Sequence, residues 1–252
     1  MSGHSKWATI KRAKGKADAA RGKLFNRLIR EISIAARMGG GDLEANPRLR
    51  SAVANARSNN MPNKNIESAI AKGTGQLEGV TYEEITFEGY GPCGVAMMVE
   101  SMTDNRNRTV AEVRHAFTKA GGNLGATNSV NWMFKSQGVI RVEKGAAEEE
   151  KLMEIALEAG ADDMTVDDDG YEIQTAPAAF EDVRTAIENA GIAMESAEVS
   201  KIPENTIKVS GDDAFKVLRL MEALDELDDT QNVFANFDIS DEDVVAYEQQ
   251  RR

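Results

Sequence analysis

The tightest constraint on how this chain can fold is a four-residue turn, Asp167-Asp168-Asp169-Gly170, between two strand-like runs, Met164–Asp167 and Tyr171–Thr175. A connection that short joins only adjacent antiparallel strands of one sheet. The turn therefore sits inside a domain and cannot be a linker. Around it the pattern is symmetrical. Strand Val139–Val142 and helix Ala147–Ala159 precede it, and helix Ala178–Ala190 and strand Ala193–Val199 follow. This is a complete β-α-β-β-α-β unit. Five more strands are predicted at Thr81–Glu88, Gly94–Met102, Val130–Phe134, Thr206–Val209 and Asn232–Phe237, with helices at Thr109–Ala120 and Asp212–Leu227. Thr109 and Glu112 read as the capping box of the first of these helices. The strands flank the symmetrical unit on both sides and form a second α+β unit that it splits. Ser136-Gln137-Gly138 and Lys201-Ile202-Pro203 are the expected crossing linkers. A tandem arrangement would force the tight turn to serve as an interdomain linker.

The first part of the chain has another character. Residues 1–38 hold ten basic residues, Lys6, Lys11, Arg12, Lys14, Lys16, Arg21, Lys23, Arg27, Arg30 and Arg37, against Asp18 and Glu31. The whole chain carries −12. A basic segment on an acidic body points to a polyanionic partner, most often nucleic acid. Stepping 100° per residue from Lys23 places Arg27, Arg30 and Arg37 within about 40° of it. Leu24, Phe25, Leu28, Ile29, Ile32, Ala35 and Ala36 fall between about 100° and 240°. One helical face is built for burial and the other for anions, although any solvated surface helix shows the same division. Residues 1–16 decide between the readings. They are too polar and too alike in charge to pack alone, and Trp7 among them suits stacking on a base.

The helix ends at Gly39-Gly40-Gly41, where glycine supplies a left-handed cap. Asn46 caps a second helix with Pro47 at its first position. Asn60-Met61-Pro62 breaks the chain before a third helix that stops at Gly73. Through residue 75 the chain has fifteen basic and five acidic residues; the remainder has fifteen and 37. The expected organisation is a basic helical domain (1–78), a split α+β domain (79–136 with 203–238), an inserted α+β domain (137–202) and an acidic tail (239–252). The fold class is thus multidomain, with an α part and two ferredoxin-like or related α+β domains.

Other signals exclude more than they suggest. The single cysteine, Cys93, rules out an intramolecular disulfide and suits a reducing compartment. No run of 18 apolar residues, the length needed to span a membrane, is present, and the start lacks the apolar core of a signal peptide. The expected location is the cytosol. Gly89–Gly94 matches GxGxxG, but strand-like residues follow it where a dinucleotide site needs a helix. The acidic turn fails as a calcium loop, because Thr165 and Ala176 occupy the required ligand positions. His4 and His115 lack partners at metal-ligand spacing, and Cys93 lacks a base nearby in sequence. Neither a cofactor, nor a metal site, nor a catalytic constellation is expected. Asp104-Asn105-Arg106-Asn107-Arg108-Thr109 stands just before a helix start, where Arg106 and Arg108 suit phosphate. Pairing of these arginines with the acidic domains is equally compatible.

GHSKW, RGKLFNRLIREI, GGGDLEANPRLR, NNMPNKNIESAIAKG, FEGYGPCGV, DNRNRTVAEVRHAFTKAGGNLG and EVSKIP together resemble the YebC family over essentially the whole chain. The resemblance implies three domains, one helical and two α+β, in a cytosolic protein without enzymatic activity. Members are described as probable DNA-binding transcriptional regulators. Others are described as ribosome-associated factors, with mitochondrial relatives that activate translation of cytochrome c oxidase. The expected partner is nucleic acid, DNA or ribosomal RNA, with ribosomal or transcription proteins on the acidic domains and no membrane. The expected contacts are the ten basic residues named above with Trp7, Arg106 and Arg108. A different class, a small-molecule-sensing α+β module, fits the same domain types.

Overall fold

The computed structural model describes residues 18–167 and 170–250. They fall into two compact units, residues 132–206 and residues 18–131 with 207–250.

The larger unit begins with three helices, α1 (Asp18–Gly39), α2 (Pro47–Ser58) and α3 (Asn63–Gly73). Asn46 explains the sharp return from α1 to α2. Its Oδ1 accepts the Leu49 N–H at 3.1 Å, and its Nδ2 donates to the Ala35 and Gly40 carbonyls, both at 2.8 Å. One side chain therefore caps the start of α2 and the end of α1. Leu28, Ile32, Ala35, Leu49, Val53 and Ile66 form the buried core of this helical part. Gly73 lets α3 approach α1, since a Cβ there would lie 2.4 Å from the Ser33 carbonyl oxygen and 2.8 Å from the Ala36 Cβ.

The same unit contains a sheet of β1 (Glu83–Tyr90), β2 (Ala96–Thr103), β3 (Asn123–Leu124) and β9 (Thr230–Ala235) in the order β3-β1-β2-β9, antiparallel throughout. Helices α4 (Arg106–Lys119) and α7 (Gly211–Asp225) pack on it. Phe87, Val99, Phe117, Leu218, Leu224 and Phe237 belong to its core. This core and the helical core are separate apolar clusters. Pro92–Gly94 makes a short turn between β1 and β2, so the GxGxxG match is a hairpin loop.

The second unit has β4 (Phe134–Glu143), α5 (Glu149–Glu158), β5 (Asp163–Val166), β6 (Gly170–Thr175), α6 (Phe180–Asn189) and β7 (Ser196–Pro203). The sheet order is β5-β6-β4-β7, all neighbours antiparallel. This is the ferredoxin-like arrangement. The Asp167 N–H donates to the Gly170 carbonyl at 3.0 Å, and the Gly170 N–H to Asp167 Oδ1 at 2.8 Å, which closes the β5–β6 turn.

Several sequence expectations need correction. The tripeptides 136–138 and 201–203 are not linkers. They lie inside β4 and β7, where Ser136 pairs with Lys201 and Gln137 with Ser200. Pairing with a partner strand overrides the low strand preference of Ser-Gln-Gly. Val130–Met133 is a turn rather than a strand, and β4 starts at Phe134. The first α4 residue is Arg106, because Asn105 accepts the Arg108 N–H at 3.1 Å and takes the cap assigned to Thr109. The acidic tail contains helix α8 (Asp241–Gln250). Ser240 opens it by accepting the Asp243 N–H at 3.2 Å, and buried Tyr247 anchors it by donating to Glu222 at 3.0 Å. Two short strands, β8 (Ile207–Lys208) and β10 (Phe237–Asp238), pair in parallel.

Candidate nucleic-acid interface

Of the residues expected to contact nucleic acid, Lys6, Trp7, Lys11, Arg12, Lys14 and Lys16 lie outside the described residues. The others, apart from Arg106, fall into two groups, according to whether the fold already uses their charge.

The first group is Arg27, Arg30 and Arg108. The wheel of α1 places Leu28, Ile32, Ala35 and Ala36 in the core as expected, but Leu24 is exposed, Arg27 and Ile34 of the opposite face are buried, and the anions that this face meets belong to the same chain. Arg27 is buried and donates to the backbone carbonyl and, at 3.1 Å, to the carboxylate of Asp225 at the end of α7. Arg30 donates to the Asp228 carbonyl and pairs with Asp229 at 3.2 Å. Its guanidinium also lies 5.5 Å from the centre of the Tyr82 ring. The end of a helix exposes unpaired carbonyls and the negative pole of its dipole, so it attracts arginine as a phosphate would.

Asp229 is the centre of this contact. Its carboxylate is fully buried and receives Arg108 Nη2 at 2.7 and 2.9 Å, Thr109 Oγ1 at 2.7 Å and Thr103 Oγ1 at 3.0 Å, besides Arg30. Burial pushes its pKa up, but the hydrogen bonds from Arg108, Thr109 and Thr103 and the Arg30 charge outweigh this and hold it below the ordinary carboxylate value. The Asp104–Thr109 segment is thus a capped helix start whose second arginine serves an internal carboxylate. Arg106 is exposed and lies 3.7 Å from Glu83.

The second group is Arg21, Lys23 and Arg37. Arg21 is exposed, 5.5 Å from the Phe25 ring centre. Lys23 is half-buried; burial, and then the neighbouring Arg27 charge, lower its pKa against the pull of Asp225, Asp228 and Glu226. Arg37 is exposed in the last turn of α1. It lines an open cleft of about 480 Å³ with Lys72 of α3, Tyr82 and Val80. Lys72 is a cation that sequence reasoning passed over, because a single lysine in a last helical turn ordinarily serves the helix dipole. Arg57 and Lys64 flank the Asn60-Met61-Pro62 break as further exposed cations.

The remaining chemical signals are modest. Cys93 is exposed, yet what burial the thiol has, and then the hydrogen bond and charge of Asp213, push its pKa up and disfavour the thiolate. His115 is exposed in α4. Among the described residues no group of three or more His, Cys, Asp or Glu is placed to hold a metal ion, and no helix is long and apolar enough to cross a membrane.

Comparison with known proteins matches residues 5–76 to the TACO1/YebC protein N-terminal domain and residues 82–237 to the TACO1/YebC second and third domain. A probable transcriptional regulatory protein of Geobacter sulfurreducens is 58% identical, over 97% of this chain and 98% of its own. One of the same name from Desulforapulum autotrophicum is 57% identical, over 96% of this chain and 98% of its own. The crystal structure of a conserved hypothetical protein from Aquifex aeolicus superposes with a TM-score of 0.82 at 48% identity, covering 90% of this chain and 94% of that one. With both parts of the family matched in order and relatives this similar along nearly their full length, the chain belongs to the TACO1/YebC family.

Proposed function

We propose that this protein is a non-enzymatic, cytosolic regulator of gene expression that acts by binding nucleic acid through its N-terminal part. The observation that carries the reading is the charge partition: fifteen basic against five acidic residues through residue 75, on a chain of net charge −12. The naming of the relatives as transcriptional regulators favours DNA as the target. The contact set is Lys6, Trp7, Lys11, Arg12, Lys14 and Lys16 with Arg21, Lys23 and Arg37; Arg106 is peripheral, and Arg27, Arg30 and Arg108 support the fold. Contacts of this kind bind phosphates and position the protein without reading sequence.

A second reading rests on the acidic remainder of the chain. A long duplex repels most of such a molecule, whereas a ribonucleoprotein presents RNA phosphates beside basic proteins. The test is competition. Protein loaded on ribosomes at moderate salt is challenged with excess promoter-length duplex and sedimented. Release to duplex, with one sequence preferred over scrambled controls by about tenfold (1.4 kcal/mol), supports the transcriptional reading. Retention on ribosomes, weakened by Trp7→Ala and by charge reversal at Lys11 and Arg12, overturns it in favour of translation. In either case, removing residues 1–17 should flatten the dependence of log K on log salt, by about 0.9 per phosphate contact on duplex DNA. Absence of salt-sensitive binding to any nucleic acid would refute both.

A further inference from the structure

Building on the nucleic-acid reading, we infer that the cleft between the C-terminal ends of α1 and α3 is a pocket for one unpaired nucleotide of a single strand. Arg37 and Lys72 hold its phosphate, and Tyr82 and Val80 face its base. The cleft, about 480 Å³, is lined among the described residues by two cations and no carboxylate. Its size falls in the range of small-molecule sites, about 300–1,000 Å³.

The ordinary role of Arg37 and Lys72 would be to satisfy the carbonyls at their helix ends. The fold has filled part of that role with other groups. At the end of α3 the Ile70, Ala71 and Lys72 carbonyls accept the N–H groups of Thr74, Gln76 and Gly75 at 2.9, 2.9 and 3.2 Å. At the end of α1 the Ala36 carbonyl accepts the Gly40 N–H, and Asn46 takes the Ala35 and Gly40 carbonyls. Two exposed cations thus remain beside one concavity with their hydrogen-bonding capacity unspent on backbone.

The walls fit a flat, aromatic ligand. Gly40 and Gly75 adopt positive φ, +83° and +77°, and a Cβ on either would meet nothing within 4 Å. Both surfaces are bare backbone that a base can approach. Tyr82 is half-buried, and its ring is fixed by the Arg30 guanidinium, itself held by Asp229. A pre-oriented ring loses little entropy on stacking, and stacking accepts any base. A base paired within a duplex has its faces covered by its neighbours, so the pocket selects unpaired strands.

The test is fluorescence anisotropy on the full chain with a short RNA strand, the DNA strand of the same sequence, that strand with abasic positions, and the duplex. The variants are Arg37→Gln with Lys72→Gln and, as a control, Arg57→Gln with Lys64→Gln. All four side chains are exposed, so melting temperatures should not move. The expected result is a loss of about tenfold in single-strand affinity for the first pair, against little for the control and little on duplex. Abasic DNA should bind the wild type more weakly but cost the first pair nothing further. Loss on RNA alone, DNA alone or both supports the pocket and identifies the natural strand. Salt-sensitive wild-type binding that survives Arg37→Gln with Lys72→Gln unchanged overturns the pocket and leaves the wider reading standing. Absence of salt-sensitive binding by the wild type overturns both.

Discussion

Asp229→Asn is the sharpest perturbation of the contact between α1 and the α7–β9 turn. The carboxylate is fully buried and receives hydrogen bonds from Arg108 through Nε at 3.2 Å and Nη2 at 2.7 and 2.9 Å, from Thr109 at 2.7 Å and from Thr103 at 3.0 Å, with Arg30 ion-paired to it at 3.2 Å. Asparagine has nearly the same shape but turns one acceptor into a donor, which then faces other donors. It also leaves two guanidinium groups without their shared counter-ion. Breaking a buried pair in this way costs about 3–5 kcal/mol. The Arg108 side chain is 41% exposed and can recover water, so the lower end, about 3 kcal/mol, is expected. For a folding unit of this size that lowers the melting temperature by about 6–12 °C.

Calorimetry at neutral and acid pH is the assay, with Arg106→Gln as the control. The Arg106–Glu83 pair is 3.7 Å long and roughly half exposed on both sides, and such pairs contribute about 0–1 kcal/mol. The pH dependence supplies an independent check. The folded carboxyl titrates below its unfolded value of about 3.9, so its contribution is complete above that value. It disappears as pH falls through the folded value. The gap between wild type and Asp229→Asn should be full at neutral pH and shrink on acidification below the ordinary carboxylate range. A neutral-pH shift of less than about 2 °C, within the reach of a surface pair, would refute the reasoning. So would a gap that stays constant into acid.

Two further predictions concern single buried or strained residues. Glu88 is buried, and its carboxylate accepts the N–H groups of Asn128, Val130 and Asn131 at 2.7, 2.8 and 2.8 Å. Glu88→Gln should cost about 1.5–3 kcal/mol, the worth of a charge-assisted bond. Hydrogen exchange should accelerate at residues 125–131 before it does in β1 and β2. Cys93 has φ of +60°, a conformation that costs a non-glycine residue about 1–2 kcal/mol. Cys93→Gly should therefore raise the melting temperature, despite losing the hydrogen bond to Asp213, and an unchanged or lower value would show that the thiol contact matters more than the backbone.

What was legible in the sequence was local chemistry. Asn46 and Pro47 announce the start of α2, and the Asp167–Gly170 turn fixes β5 against β6, because a few adjacent residues decide each outcome. The missed features depend on residues far apart in the chain. Ser136-Gln137-Gly138 reads as a linker until it is paired with 199–201. The helix of the acidic tail has one buried apolar anchor, Tyr247, too few to leave a periodic pattern, and its partners Glu222 and Phe215 come from α7. Thr109 and Glu112 fit a capping box as well as Asn105 fits a single cap. What separates them is that the buried Asp229 claims the Thr109 hydroxyl, a fact that lies 120 residues away.

The same limit governs the candidate interface, and it changes how its charge should be counted. Periodicity identifies Arg27 and Arg30 as the basic face of α1 but cannot say which anion they meet. Geometry assigns them to Asp225 and Asp229. Residues 132–206 carry eighteen acidic and six basic residues, an excess equal to the net charge of the whole chain; the rest is balanced at 24 of each. The unit that contains the basic helices is therefore not cationic overall, and its own acids answer part of its own arginines. Affinity for a polyanion must come from cations the fold leaves unspent, so a salt slope predicted from all the basic residues of the N-terminal part would be too steep. Arg27 and Arg30 should drop out of the slope because neither can reach a phosphate without releasing a carboxylate that is more than four-fifths buried. Their place is earlier in the sequence of causes: they fix α1 and Tyr82, and with them the wall against which Arg37 and Lys72 stand.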